Sequence, residues 1–120
     1  MITIYHNLDY HIATRLMAPE EQQTYQPSPH DLELAAIVPE DDLSRAFHRT
    51  LHEEGVAWTS DRGVTIIGDP RTRRSTYDGD VLVDADGAAY LVLPVGFRAL
   101  PTLRLPFLGP ERLKDGKHVE

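Results

Sequence analysis

This sequence predicts an α+β fold: one small domain with a mixed, mostly antiparallel sheet and one main helix packed on one face. Three observations predict it. Val81–Val83 and Tyr90–Leu93 are short apolar runs joined by Asp84-Ala85-Asp86-Gly87, where Gly87 allows the positive φ that a tight turn needs, so residues 80–93 read as a hairpin. Leu43, Ala46, Phe47, Thr50 and Leu51 recur at three- and four-residue spacing, the stripe of an amphipathic helix. Met1–Tyr5 and Leu32–Val38 alternate with the period of two that a strand imposes.

The elements follow in order. Ile2 and Ile4 alternate with Thr3 and Tyr5, which predicts a first strand with one buried face. Leu8–Met17 fits either a helical stripe (Leu8, Ile12, Leu16) or a strand (Tyr10, Ile12, Thr14, Leu16), and the window is too short to choose. Ala18–Pro29 is polar with three prolines and reads as an exposed, mobile connection. In the Leu32–Val38 strand the alternate set turns apolar toward Ile37, so both faces become covered, and Pro39 ends it. Asp41 and Asp42 open a helix expected to reach Glu54, with Gly55 as its left-handed cap. On its wet side Asp41 is set to pair with Arg45, and Arg49 with Glu53. A short strand follows at Val64–Ile67, then a turn at Gly68-Asp69-Pro70-Arg71, and one more strand within Val95–Leu100. Pro101, Pro106 and Pro110 punctuate the Leu103–Leu108 segment, which therefore reads as an extended arm over an apolar surface, on its own domain or on a partner. The domain is expected to span residues 1–110, with 111–120 a flexible C-terminal tail.

The composition bounds the function. The chain has 120 residues, no cysteine and a formal charge of −7. That length suits one core, and the missing thiols exclude disulfides, thiolate nucleophiles and cysteine-based zinc sites. Net acidity weakens a general affinity for nucleic acid. No apolar run reaches bilayer-spanning length, and the opening lacks a basic start with an apolar core, so a cytoplasmic protein without membrane association is expected.

Arg74-Ser75-Thr76, then Gly79-Asp80-Val81, the Asp-Gly turn, a tyrosine-containing strand and a closing Val95-Gly96-Phe97 follow one another over the last third of the domain. In that order they resemble the YodL-like domain of bacterial and mobile-element proteins. MITIYHN (residues 1–7) and DLSRAFHRT (residues 42–50) are similar to the opening and the helix of small actinobacterial or phage-type proteins carrying such an end. The resemblance implies a scaffold and a genomic neighbourhood but transfers no catalytic residue.

The candidate chemistry is sparse. His48 and His52 have the four-residue spacing that can share one zinc, yet Arg49 stands where a metalloprotease helix needs its glutamate, and the helix projection puts both on the solvent side. His6, His11 and His30 are left as possible third ligands. Asp78, Asp80, Asp84 and Asp86 crowd the hairpin, where turn chemistry is the better account than cation binding. No serine lies in a nucleophile-elbow setting, and no glycine-rich phosphate cradle occurs. Arg71, Arg73 and Arg74, with Arg62 nearby, concentrate positive charge beside Ser75, Thr76 and Tyr77. The reading is therefore a non-enzymatic accessory protein with no cofactor and no metal, which binds another macromolecule through Arg71, Arg73, Arg74 and Tyr77. Its partner is expected to be a protein, with the Leu103–Leu108 arm as a second or homodimer contact. The rival readings are nucleic-acid binding through the arginine loop, an acidic inhibitor that mimics nucleic acid, and a metal-dependent enzyme using histidine and carboxylate.

Overall fold

The structure, a computed structural model, describes residues 1–105 apart from Leu16 and Glu54. The tail at 111–120, and the arm from Pro106 onward, lie outside the described residues. The opening alternation forms β1 (Ile2–Asn7), but all six of its residues are buried rather than one face of them. The reason is position: β1 is a central strand with elements packed on both sides. The remaining strands are β2 (Leu32–Val38), β3 (Thr65–Ile66), β4 (Val81–Val83), β5 (Ala89–Val92) and β6 (Phe97–Ala99). They pair in the order β3-β2-β1-β4-β5-β6, and each pairing among the described residues is antiparallel.

A bulge explains the odd pattern of β2. Ile4 pairs with Ala36 but Tyr5 pairs with Leu34, so Ala35 is an extra residue on β2. Ala36 and Val38 therefore join one core, while Leu32 and Leu34 pack on the other. The first core lies under α3 (Leu43–Arg49) and holds Ile2, Ile4, Ala46, Trp58, Leu82 and Val92, with Leu43 and Phe47 packed against it. The second holds Tyr5, Tyr10, Tyr25, Val81, Leu91 and Leu100. It is covered by α1 (Tyr10–Ala13), by the Tyr25 segment and by Leu103 and Leu105, so the described part of the arm packs on its own sheet.

The helix is shorter than its stripe. Asp42 caps it, its side chain accepting from the Arg45 amide, as expected. It stops at Arg49 because the Thr50 hydroxyl bonds back to the Ala46 and Phe47 carbonyls while the Thr50 carbonyl accepts from Thr76. Gly55 does take a positive φ, but in the turn closed by the Glu53–Val56 bridge, not as a helix cap. The expected surface pairs are replaced too. Arg49 bonds Glu40 at 3.1 Å and Asp61 at 3.0 Å, and Asp41 takes the N-terminal amine at 3.3 Å. The Ala18–Pro29 connection is partly structured: Pro19, at a position where a helix tolerates it, begins α2 (Pro19–Gln22), and Tyr25 is buried.

Hairpin 80–93 forms as read, with Val81 opposite Leu91 and Gly87 at φ +87°. Gly79 has a stricter role, because at φ +92° a Cβ there would lie 2.1 Å from the Tyr10 ring. Left-handed backbone and overpacking together predict that Gly79→Ala loses about 2–4 kcal/mol of unfolding free energy in urea titrations. Tyr10→Ala removes a core ring and is costly alone, but it should cost less in the Gly79→Ala background, since it removes the ring that the new methyl meets.

Candidate functional site

The arginine loop is fastened from below. Asp80, read from sequence as a turn residue, is fully buried. Its carboxylate receives both Arg74 Nη atoms at 2.7 Å, the Asn7 amide at 2.8 Å and the Tyr77 amide at 2.9 Å. Four donors for four lone-pair positions make it a satisfied buried carboxylate. Burial opposes the Arg74 charge, but the hydrogen bonds and charge of Asp80 outweigh it and hold its pKa above the ordinary arginine value. Asn7 extends the network: its Nδ2 donates to the Gly79 carbonyl at 2.8 Å and the Tyr25 hydroxyl at 3.1 Å, and its Oδ1 accepts from the Asp9 and Tyr10 amides at the start of α1.

The other side of the loop is strapped to the segment after α3. Trp58 Nε1 donates to the Arg74 carbonyl at 2.8 Å, the Ser75 hydroxyl accepts from the His52 amide at 2.7 Å, and Thr76 donates to Thr50 at 2.9 Å. His52 lies beyond the helix end. Its Nδ1 accepts from the Trp58 amide at 3.1 Å, so its Nε2 carries the proton given to the Arg73 carbonyl at 3.1 Å. Both ring nitrogens of His52 are thus engaged by backbone groups, and His52 lies off the helix face that carries His48. Among the described residues no group of three or more His, Asp or Glu side chains is placed to hold a metal ion. His6 is buried beneath the loop with Nε2 3.3 Å from the Thr76 hydroxyl. Desolvation lowers its pKa to about 4 against the opposing pull of Asp80, so the ring is neutral at pH 7.

The residues read as a binding group are consequently divided. Arg73 is only 10% exposed and donates to Glu33 and to the Ile67 and Leu34 carbonyls. Arg74 is 31% exposed and committed to Asp80. Arg71 is 88% exposed, paired with Asp69 of its own turn, whose carboxyl it holds below the usual range. Tyr77 remains on the surface, with the Arg74 guanidinium 4.3 Å from its ring centre and the His11 ring at 4.9 Å. Next to His11 on α1, Ile12 is 71% exposed, and Leu8, one turn earlier, is 61% exposed. The sequence marked His11 only as a possible third metal ligand and Leu8 and Ile12 only as part of a candidate helical stripe, because a one-turn helix shows too little of its period to mark an outward face. The turn aspartates behave as read: the Asp84 Oδ1 accepts from the Asp86 and Ala88 amides.

A cleft of about 880 Å³ lies beside α3 and is lined by His48, Arg49, Glu53, Trp58 and Asp61 among others. Its arginine is already held by Asp61 and Glu40 and is not free to take an anionic ligand. No helix among the described residues is long and apolar enough to cross a membrane. Compared with known proteins, the chain matches no family model, no curated protein and no solved structure.

Proposed function

We propose that this is a small, cytoplasmic, non-enzymatic accessory protein that acts by binding another protein through the surface formed by Tyr77, His11, Ile12 and Leu8. The observation that carries this reading is the exposure of Tyr77 on a loop whose Arg74 is spent on internal fastening, with the His11 ring against it and exposed Leu8 and Ile12 on the same short segment as His11. Aromatic and aliphatic groups over a partly buried guanidinium make the kind of amphipathic anchor on which protein interfaces concentrate their energy. The loop's inward-turned Arg73 and Arg74 argue for a protein over a nucleic acid, since phosphate contacts need accessible cations. The resemblance of residues 74–97 to YodL-like domains favours a role near mobile elements, with Arg74-Ser75-Thr76 and Gly79-Asp80 as scaffold.

A photo-crosslinking residue tests this directly. Placed at position 12 or 77 in the producing cells, it is expected to give one discrete protein adduct, absent when the same residue replaces exposed Arg62. Tyr77→Ala with Ile12→Ser should reduce an adduct formed from position 8 by about tenfold or more. Adducts to nucleic acid, or equal labelling from position 62, contradict the reading.

A further inference from the structure

Four arginines among the described residues are partly buried: Arg49, Arg73, Arg74 and Arg98. The first three each bond a carboxylate, whereas Arg98 has none among the described residues. Its Nη2 donates to the Tyr25 carbonyl, its Nε is buried without a partner, and its Nη1 has no partner among the described residues. A guanidinium half-withdrawn from water without an anion is an unmet electrostatic demand, all the more so on a chain of charge −7 that has satisfied its other partly buried arginines. Arg98 lines a groove of about 620 Å³ with Tyr10, Gln22, Leu93, Val95 and Phe97, mostly apolar, with Val95 standing clear in solvent.

The groove runs along an open sheet edge. Among the described residues β6 pairs only with β5, and the Leu100 amide bonds the Ala89 carbonyl while the Leu93 amide bonds the Gly96 carbonyl. By the alternation of an antiparallel ladder, Phe97 and Ala99 therefore turn their N–H and C=O groups away from β5, toward the edge. An exposed edge of this kind is a template for another strand.

We propose that this groove docks an extended segment of a partner protein, which pairs with β6 and sets one Asp or Glu carboxylate on Arg98. A strand carries side chains two residues apart on the same face, so the acid's neighbours at that spacing are apolar and cover Tyr10 and Leu93. Glu20 and Glu21, in the same helical turn as Gln22, disfavour a polyanion, so the segment carries a lone acid. This groove is independent of the Tyr77 surface.

Two displayed libraries of random dodecapeptides, one of them lacking Asp and Glu, are panned on the full-length protein. The complete library is expected to enrich sequences with one acid flanked at two-residue spacing by apolar residues, and the depleted library is expected to enrich none. A selected peptide should bind Arg98→Gln at least tenfold more weakly, and Tyr77→Ala with unchanged affinity. Ala99→Pro removes an edge N–H while keeping the arginine, and it should also weaken binding about tenfold, which keeps the test decisive if Arg98→Gln fails to fold. Amide resonance shifts should concentrate at residues 93–99. Equal yields from both libraries, no enrichment from either, or an affinity indifferent to both variants overturns the proposal.

Discussion

Replacing Asp80 with alanine is expected to cost about 3–5 kcal/mol of unfolding free energy at neutral pH, the range for breaking a buried, hydrogen-bonded ion pair by removing one partner. The loss has three parts that the geometry identifies. Arg74 keeps its partly buried charge without a counter-ion, the Asn7 amide loses its acceptor, and so does the Tyr77 amide. A domain of this size has a total of about 5–15 kcal/mol, so the variant is left marginal. Asp80→Asn should do nearly as badly. It keeps one acceptor oxygen, but turns an amide donor toward a guanidinium that can only donate. Asp84→Ala, in the same hairpin, gives up only the two turn hydrogen bonds and serves as the contrast. Urea titrations followed by Trp58, the sole tryptophan, measure both.

Acid is expected to weaken the fold through His6. In the unfolded chain its imidazole takes a proton near pH 6.5, while in the folded protein burial holds that step down to about 4. Between those values the unfolded state binds more protons than the folded one, so unfolding free energy falls as pH falls. The contribution is absent above pH 6.5 and complete below about 4, where it reaches about 3 kcal/mol at most. His6→Gln can keep a polar contact with Thr76 but does not titrate. It should therefore flatten the stability profile between pH 6.5 and 4.5, while carboxylate titration below that range remains in both proteins. A wild-type profile equally flat in this window would mean that the ring takes its proton in the folded state.

What could be read from the sequence was what is local. The 80–93 hairpin is defined by apolar runs and a turn that lie within a few residues of one another, and the Asp42 cap by a carboxylate beside its own helix. The length of α3 was not legible, because it is ended by Thr50 and Thr76, which meet only after the intervening chain has folded back. The bulge at Ala35 was visible only as a shift in which residues of β2 are apolar, and its cause lies in the pairing with β1. At the site, the sequence grouped Arg71, Arg73, Arg74 and Tyr77 by their closeness in the chain. Its separation into exposed Arg71 and inward Arg73 and Arg74 depends on Glu33, Leu34 and Asn7, all far away in the chain. Asp80 resembled its turn neighbours in composition, and nothing at its own position announces the amide of Asn7. Arg98 was silent for the same reason: that it lacks a counter-ion among the described residues shows only once the other partly buried arginines have been assigned theirs.

The central claim is that the arginine loop is an internal fastening which holds Tyr77 at the surface, and a double-mutant cycle between Arg74→Met and Asp80→Ala tests it most directly. A coupling free energy of about 2 kcal/mol or more in urea unfolding is predicted, with the double variant well short of the summed losses of the two single ones. Additive losses, coupled by less than about 0.5 kcal/mol, would show Arg74 to be an ordinary surface cation and contradict the account.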